Sequence, residues 1–366
     1  MTKVRFDQIA KEVRNTFSGD KAGVPIVGLE HIIPNELLLS DHDIDTENTF
    51  TKAFKKGQIL FGRRRAYQQK AAVATFDGIC SGDITVIEPL NGAVCPELLP
   101  FIIQNERFFE HAVRGSAGSL SPRVKWEHLA SYEIELPSYE EQVKLANELW
   151  AAYNLKTSYK TLLVSIDEMV KSQFIEMFEG EKYPRLSLDE ICKEWSKGQG
   201  FKKDDICEDG ETQCIHYGEL FTKYGPVINE VVSRTSVEKK KTSKKGDILF
   251  PASDVTPNGL ARCSMLPFDN VILGGDIIIL RPKDNYNTAY LSYAINQQTS
   301  QLLTRVNGGV VKHMSAKGLK TIEIPIPPID KQEEYIQIAE QADKSKFELR
   351  KSIEAIDKVI KSLINS

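Results

Sequence analysis

The sequence lacks the motifs that mark the common enzyme classes. Its 366 residues contain no Gly-x-Gly-x-x-Gly, no Gly-x-x-x-x-Gly-Lys-[Ser/Thr], no His-Glu-x-x-His and no Gly-x-Ser-x-Gly. An Asn/Asp-Pro-Pro-aromatic tetrapeptide and an aspartate-rich metal cluster are also missing. The six cysteines form no Cys-x-x-Cys pair and have no metal-like spacing with the six histidines, which predicts reduced, structural thiols. No motif therefore singles out a catalytic residue, although a catalytic dyad without a local motif stays open.

Long apolar runs and an excess of positive charge are missing as well. No stretch approaches the roughly 20 apolar residues that span a bilayer, and the beginning of the chain lacks the apolar core of a secretory signal, so we expect a cytoplasmic protein. The net charge of -4 counts mildly against a general polyanion binder. Basic residues gathered on one face would still bind a polyanion, so their local distribution decides.

An internal duplication organises the chain. Five blocks recur in the same order, as expected for two copies of one unit. They are VRFDQIAKEV (4–13) with LSLDEICKEW (186–195), KKGQILF (55–61) with KKGDILF (244–250), CSGDITVIEP (80–89) with GGDIIILRP (274–282), RGSAGSLS (114–121) with VNGGVVKH (306–313), and IELPSYEEQ (134–142) with IPIPPIDKQ (324–332).

Each copy has a front part and a back part. The front parts, 1–137 and 183–327, alternate short β-like runs with helical segments such as 96–113 and 288–306, which predicts mixed α+β domains. The back parts, 138–182 and 328–366, carry apolar residues in alternating steps of four and three over four heptads, which predicts two long helices. Capping boxes are expected at Ser138/Glu141 and Asp330/Glu333.

One lysine interrupts each heptad seam at the same layer. A parallel pair of helices would place Lys156 against Lys346, which is unfavourable. An antiparallel pair lets each lysine lie along apolar surface with its ammonium group in water. The pattern favours an intramolecular antiparallel coiled coil, with each helix packing on its own domain as the alternative.

Loops that follow matched strands are the candidates for nucleic-acid contact. In the first unit, loop 61–70 contains four basic residues, one tyrosine and two glutamines. Arginine and glutamine can bind bases, and further basic residues can bind phosphates. A solvated basic turn is the alternative. The equivalent loop, 251–262, is polar and less basic, which suggests hydrogen bonding or a plain loop. The candidates are Arg63, Arg64, Arg65, Tyr67, Gln68, Gln69 and Lys70, and then Ser253, Asp254, Thr256, Asn258 and Arg262.

A second pair of candidate loops precedes the last strand of each unit. Residues 121–126 and 310–315 follow glycine-rich stretches, which suit a close approach of the main chain to phosphate or simply tight turns. The candidates here are Ser121, Arg123, Lys125, Lys312 and His313. The lysine-rich run 236–245 is either a phosphate-facing patch or a solvated linker.

The order of these parts resembles that of a specificity subunit of a type I restriction–modification system, over essentially the whole chain. The resemblance implies two target-recognition domains, 1–137 and 183–327, joined by helices that form an antiparallel coiled coil. It further implies a non-catalytic subunit that reads an asymmetric, bipartite site in double-stranded DNA through the loops above. Two modification subunits, which bind S-adenosylmethionine, and restriction subunits would be its partners, and no cofactor is expected on this chain. The alternatives are a specificity subunit of another methylation-based phage defence system, a stand-alone DNA-modifying enzyme and a protein-binding scaffold.

Overall fold

The computed structural model describes residues 2–90, 92–180, 183–201, 203–237 and 241–365. The chain divides into two compact units, the first being Met1–Lys160 with Lys351–Ser366 and the second Thr161–Arg350. Each unit therefore takes in part of both long helices. Within the described ranges, no helix is both long and apolar enough to cross a membrane. The four-part division at 137, 182 and 327 remains a prediction.

The first unit is built on short, Ile- and Val-rich strands. They are β1 (Thr2–Arg5), β2 (Ala10–Val13), β3 (Ile26–Val27), β4 (Leu38–Leu39), β5 (Lys52–Phe54), β6 (Ile59–Gly62), β7 (Ala71–Ala74), β8 (Gly78–Cys80), β9 (Ile84–Pro89) and β10 (Glu133–Leu136). The main sheet has the order β2-β9-β6-β7-β4, and β3-β8-β5 and β1-β10 form smaller sheets. Strand β6 is buried along its whole length, with Leu60 opposite Val86 of β9. A strand buried on both faces is expected to be apolar without alternation.

Helices cover one side of this sheet. They are α1 (Leu99–Gln104), α2 (Glu106–Arg114), α3 (Trp126–Ala130) and the part of the long α4 (Tyr139–Phe178) that precedes Thr161. The single helical segment predicted at 96–113 is broken at Asn105, whose side chain accepts a hydrogen bond from the Arg107 N–H at 2.8 Å and so caps α2. Phe61 of β6 packs against Phe108 and Phe109, with ring centroids 5.8 and 5.5 Å away.

The second unit repeats this plan. Its strands are β11 (Arg185–Ser187), β12 (Cys192–Lys197), β13 (Thr212–Ile215), β14 (Ser233–Thr235), β15 (Asp247–Pro251), β16 (Ser253–Asp254), β17 (Ser264–Leu266), β18 (Ile272–Leu273), β19 (Ile277–Pro282), β20 (Lys312–His313) and β21 (Glu323–Pro325). The main sheet has the order β12-β19-β15-β17, beside β14-β13-β18, β11-β21 and β16-β20. The helices are α5 (Leu188–Ile191), α6 (Glu219–Thr222), α7 (Pro257–Leu260), α8 (Thr288–Gln297), α9 (Thr299–Leu303), α10 (Ala316–Leu319) and the long α11 (Ile329–Asn365). The mixed α+β prediction is confirmed.

The long helices agree with the heptad prediction to within about a residue at each start. Ser138 forms the predicted capping box, because its N–H donates to Glu141 Oε2 at 3.0 Å and its Oγ accepts from the Glu141 N–H at 3.4 Å. The prediction of a second capping box, at Asp330 and Glu333, is wrong. Helix α11 begins at Ile329, directly after Pro328, so Asp330 already lies in its first turn.

The repeated glutamine of the proline junction has a structural role in both units. The side-chain amide of Gln142 donates to the carbonyl of Pro137 at 3.0 Å, and that of Gln332 donates to the carbonyl of Pro327 at 2.8 Å. Both glutamines are buried. Gln142 Oε1 also accepts from the Cys95 N–H at 3.0 Å. The Pro-x-x-x-x-Gln spacing therefore ties the end of the last strand to the first turn of the long helix.

Each interrupting lysine forms an ion pair inside its own unit. In the first unit, Lys156 Nζ lies 2.6 Å from Asp357 Oδ1, and in the second, Lys346 Nζ lies 2.9 Å from Asp167 Oδ1. The two lysine side chains are 11% and 16% exposed. Burial alone would lower the pKa of Lys346, but Asp343 and Asp167 together raise it. Both lysine ammonium groups are therefore paired with aspartate, whereas the sequence predicts that they reach water.

Candidate nucleic-acid interface

The two candidate loops of the first unit are joined by main-chain hydrogen bonds. Arg63, directly after β6, donates its N–H to the Asp83 carbonyl at 2.9 Å and accepts from the Val124 N–H at 2.9 Å. Arg64 and Arg123 form an antiparallel bridge. The Arg65 N–H donates to the Pro122 carbonyl at 2.8 Å. Loops 61–70 and 121–126, separate in the sequence, therefore form one surface.

A single carboxylate holds two arginines of that surface. Asp83 Oδ1 accepts from Arg123 Nε at 2.7 Å, and Asp83 Oδ2 accepts from Arg64 Nη1 at 3.3 Å. Arg64 Nη2 also donates to Ser121 Oγ at 3.0 Å. Burial alone would raise the pKa of Asp83, but the hydrogen bonds and charges of Arg123 and Arg64 hold it below its usual value. Asp83 stays ionised and fixes both guanidinium groups.

The arginine loop is strained and has unpaired donors. Arg65 and Gln69 have φ of 54° and 52°, a left-handed conformation that bulky side chains seldom adopt and that is concentrated at functional sites. Among the described residues, the Nε atoms of Arg63 and Arg65 are buried without a hydrogen-bond partner. The Nε atoms of Arg64 and of the inward-facing Arg262 are buried in the same way, so this feature alone does not mark a binding surface.

The remaining residues of this loop differ in accessibility. Tyr67 is 58% exposed. Gln68 and Gln69 are half-buried at the loop's 3-10 turn. The ammonium group of Lys70 is turned into the fold, where it donates to the carbonyl of Leu29 at 2.6 Å. Lys70 is therefore engaged with the chain itself.

The second unit has the same main-chain frame with other side chains. The Ala252 N–H donates to the Asp276 carbonyl at 2.8 Å, and the Met314 N–H donates to the Ala252 carbonyl at 2.9 Å. Strands β16 and β20 pair beside it, with Ser253 opposite His313. Ser253 Oγ donates to Asp276 Oδ2 at 3.2 Å. Asp276 thus occupies the position equivalent to Asp83. It accepts a hydrogen bond from a serine hydroxyl, whereas Asp83 binds two arginines.

Other predicted residues of this unit divide into exposed and inward-facing groups. Asp254 accepts from the Val255 N–H and from Thr256 Oγ1, both at 2.7 Å, which orders the loop internally. Asn258 is exposed in α7. Arg262 points inward instead and donates to the carbonyls of Phe221 and Tyr224, both at 3.2 Å, while burial lowers its pKa.

Lys312 and His313 lie beside this surface in β20. Lys312 Nζ donates to the Gly308 carbonyl at 3.0 Å, and His313 is exposed. Residues 238–240 of the lysine-rich run lie outside the described part of the chain. That run is therefore not assigned to either surface.

A cavity of about 440 Å³ adjoins the surface of the first unit. Arg63 and Lys125, both predicted, line it together with Trp126, which lies in the predicted loop 121–126, and with Arg14 and Lys52, which were not predicted. These residues lie far apart in the sequence, so no local pattern could group them. In the described residues, no cluster of three or more His, Cys, Asp and Glu side chains is arranged to hold a metal ion.

A histidine pair closes the base of loop 115–125. His111 Nε2 lies 2.8 Å from the carbonyl of His128, and His128 Nε2 lies 2.8 Å from the carbonyl of His111. The rings stack with centroids 4.2 Å apart. A Cβ on Gly115 would collide with the His128 ring, so glycine is needed there. Burial lowers the pKa of His111 and outweighs the hydrogen bond with the His128 carbonyl, which raises it, and the charges of His128 and Arg114 lower it further.

Comparison with known proteins identifies the family. The model of the type I restriction modification DNA specificity domain matches twice, at residues 10–166 and 181–357. A Methanocaldococcus jannaschii protein assigned as the MjaX type I restriction enzyme specificity subunit is 22% identical over 94% of this chain and 86% of its own length. The EcoDI type I restriction enzyme specificity subunit of Escherichia coli is 25% identical over 49% of this chain and 41% of its own length.

A solved structure agrees in fold. The S subunit of a type I restriction–modification system from M. genitalium aligns with a TM-score of 0.60 and 14% identity, covering 99% of this chain and 94% of that one. The chain belongs to the family of type I restriction–modification DNA specificity proteins. Its two matches to the family model confirm the internal repeat, and DNA sequence recognition is the function that this family defines.

Proposed function

We propose that this chain reads an asymmetric, bipartite DNA target for a type I restriction–modification complex, one half-site per unit. The observation that carries the proposal is the repeated frame around Arg63 and Ala252. It brings the candidate loops of each unit together, yet presents arginines in one unit and serine with histidine in the other. Surfaces with different donors and acceptors select different bases.

The proposed contacts differ in kind between the two units. Arg63, Arg64, Arg65, Tyr67, Gln68, Gln69, Ser121, Arg123 and Lys125 are the candidates in the first unit, with Ser253, Asp254, Thr256, Asn258, Lys312 and His313 in the second. The inward-facing side chains of Lys70 and Arg262 would act by supporting their loops. The first surface should therefore depend more on phosphate contacts and on salt than the second.

The proposed partners follow from the family. The chain itself would be non-catalytic and would act in the cytoplasm. Two modification subunits, each with S-adenosylmethionine, would bind to it, and restriction subunits would join through them. In this complex the chain supplies the sequence preference and its partners supply the chemistry.

Methylome sequencing of a host with and without this chain tests the proposal. The expected result is a methylated motif that appears only with the chain and consists of two different half-sites separated by unread bases. A single contiguous palindrome would contradict it. Incubating the pure chain with DNA, S-adenosylmethionine and Mg²⁺ is the matching control, since activity without partners would show that the chain is itself an enzyme.

We also propose that α4 and α11 form an antiparallel coiled coil that sets the distance between the half-sites. The ion pairs Lys156–Asp357 and Lys346–Asp167 support it, because they are related by the repeat and each joins one helix to the other. In the second unit, Phe174 also stacks edge-on against Tyr335 at 5.3 Å. A rigid spacer would let two modest half-sites bind jointly only when their separation fits.

Charge exchange tests the helix pairing. Lys156→Asp should destabilise the first unit. Adding Asp357→Lys should restore about 1–2 kcal/mol of the free energy of unfolding, a value between those typical of exposed and of buried ion pairs. Lys156→Asp with Asp167→Lys is the control, which should restore nothing because Asp167 pairs with Lys346. Urea unfolding measures all four proteins, and equal recovery in both double variants would refute the pairing.

A further inference from the structure

Each unit has a short hairpin with an apolar residue at its tip. In the first unit, Ala117 and Arg123 exchange main-chain hydrogen bonds at 3.0 and 2.9 Å and close the loop 118–122. In the second, Asn307 and His313 exchange bonds at 3.1 and 2.8 Å and close the loop 308–312. Gly118 and Gly308 have φ of 114° and 103°, so both hairpins need glycine at the same position.

The tip residues are Leu120 and Val310, and both are 90% exposed. No other large apolar side chain in the described ranges reaches this exposure. The hairpins read GSLSP and GGVVK, so an apolar tip is kept although the neighbouring residues differ. Because an exposed Leu or Val gains nothing from burial in the fold, its apolar surface is available to a binding partner.

The surroundings of the tips are basic. Arg123 closes the first hairpin and is bridged to Arg64, and Lys125 is exposed just beyond it. In the second unit, His313 closes the hairpin and Lys312 precedes it in β20. An apolar tip with basic side chains near its base suits an anionic partner with an apolar interior, and duplex DNA, whose stacked bases lie between phosphates, is such a partner.

We propose that Leu120 and Val310 are apolar wedges that contact the stacked bases of the DNA beside each half-site. This inference rests on the proposed function. Proteins that insert apolar side chains between base steps partly unstack them and kink the duplex. The rigid hairpin closure would hold each tip in place, and the adjoining loop would read the half-site. The chain would then select for deformable base steps next to the bases that it reads directly.

Binding measurements on the full-length chain test the wedge. The probes are a duplex with the target found by methylome sequencing and a scrambled duplex of the same composition, each carrying dyes at its ends. Leu120→Ala should weaken target binding about tenfold and reduce the bend measured by energy transfer. The slope of log K against log salt should not change, because no phosphate contact is lost. Leu120→Met should retain most of the binding and the bend.

Val359→Ala is the matched control, since it trims a half-exposed apolar side chain on α11 of the same unit. Unchanged thermal unfolding of Leu120→Ala would show that its fold is intact. If the wild-type chain binds the target and Leu120→Ala binds and bends it equally well, the wedge is refuted. A loss that appears only when modification subunits are added would also refute it, because the tip would then contact protein. Failure of the wild-type chain to bind DNA, with or without those subunits, would instead overturn the proposed function.

Discussion

Replacing Asp83 with Asn tests how the first unit controls its arginines. The carboxylate holds Arg123 at 2.7 Å and Arg64 at 3.3 Å. An amide of the same size has no charge, so both guanidinium groups lose their ionic partner and become free to bind phosphates of any sequence. We therefore expect Asp83→Asn to bind scrambled DNA more tightly than wild type and to distinguish the target from scrambled DNA less well.

The number of released arginines sets the size of the effect. Each added phosphate contact steepens the slope of log K against log salt by about 0.9. Release of Arg64 and Arg123 can therefore steepen it by about 1 to 2 on scrambled DNA. Preference for the target should fall on the order of tenfold, because freed side chains must be ordered again when they bind it.

Asp276→Asn is the matched control. It removes the same charge from the same place in the second unit, but the hydrogen bond that it weakens comes from the neutral Ser253. Fluorescence anisotropy titrations from about 50 to 200 mM salt would measure both variants. Equal slopes for the two variants would refute the reasoning, as would a uniform loss of binding in Asp83→Asn, because that would mean Asp83 only supports the fold.

Three other sets of contacts give testable expectations. Alanines at 63–65 should weaken binding and alter preference at one half-site only, whereas a uniform loss across sequences would limit these arginines to phosphate contacts. Because the pKa of folded His111 is lowered, the folded state binds fewer protons than the unfolded chain, so stability should fall as pH drops through about 6.5. The urea midpoint of His111→Gln should depend less on pH than that of wild type, and equal dependence would contradict this role. Gln142→Leu should lower the free energy of unfolding by about 2 kcal/mol, because it leaves the Cys95 N–H and the Pro137 carbonyl unpaired. Gln332→Leu should cost less in urea unfolding, because Gln332 Oε1 has no partner among the described residues, and an equal cost would argue against this account.

Much of the fold could be predicted because its signals are local or repeated. The strands at 59–62 and 247–251 follow from identical ILF runs, and the long helices follow from sustained heptads. The break at Asn105 was missed because the segment on either side has continuous helical spacing, and only the capping bond ends the first helix. The lysine partners were missed for another reason. Asp167 of α4 pairs with Lys346 of α11, and Asp357 of α11 pairs with Lys156 of α4, so neither partner can be found from the sequence around its lysine.

The candidate surface was predicted in part. Loops 61–70 and 121–126 are visible in the sequence as basic segments after strands, yet their joining depends on hydrogen bonds between residues about 60 positions apart. Lys70 and Arg262 were included among the candidate contacts because of their charge. Their side-chain nitrogens instead donate to carbonyls inside the fold. The role of Asp83 needed coordinates, because an acidic residue in a basic surface looks unfavourable until its partners are known.

The two units show how one main-chain frame can carry two different surfaces. The bonds that position the surface run through main-chain atoms, from Arg63 to Asp83 and Val124 in one unit and from Ala252 to Asp276 and Met314 in the other. Main-chain bonds do not require a particular side chain, so the same frame forms at Arg63 in one unit and at Ala252 in the other. The side chains that project from the frame are therefore free to differ, and they differ in charge, size and hydrogen-bonding groups. A duplicated fold can thus present two chemically different surfaces on the same main-chain frame.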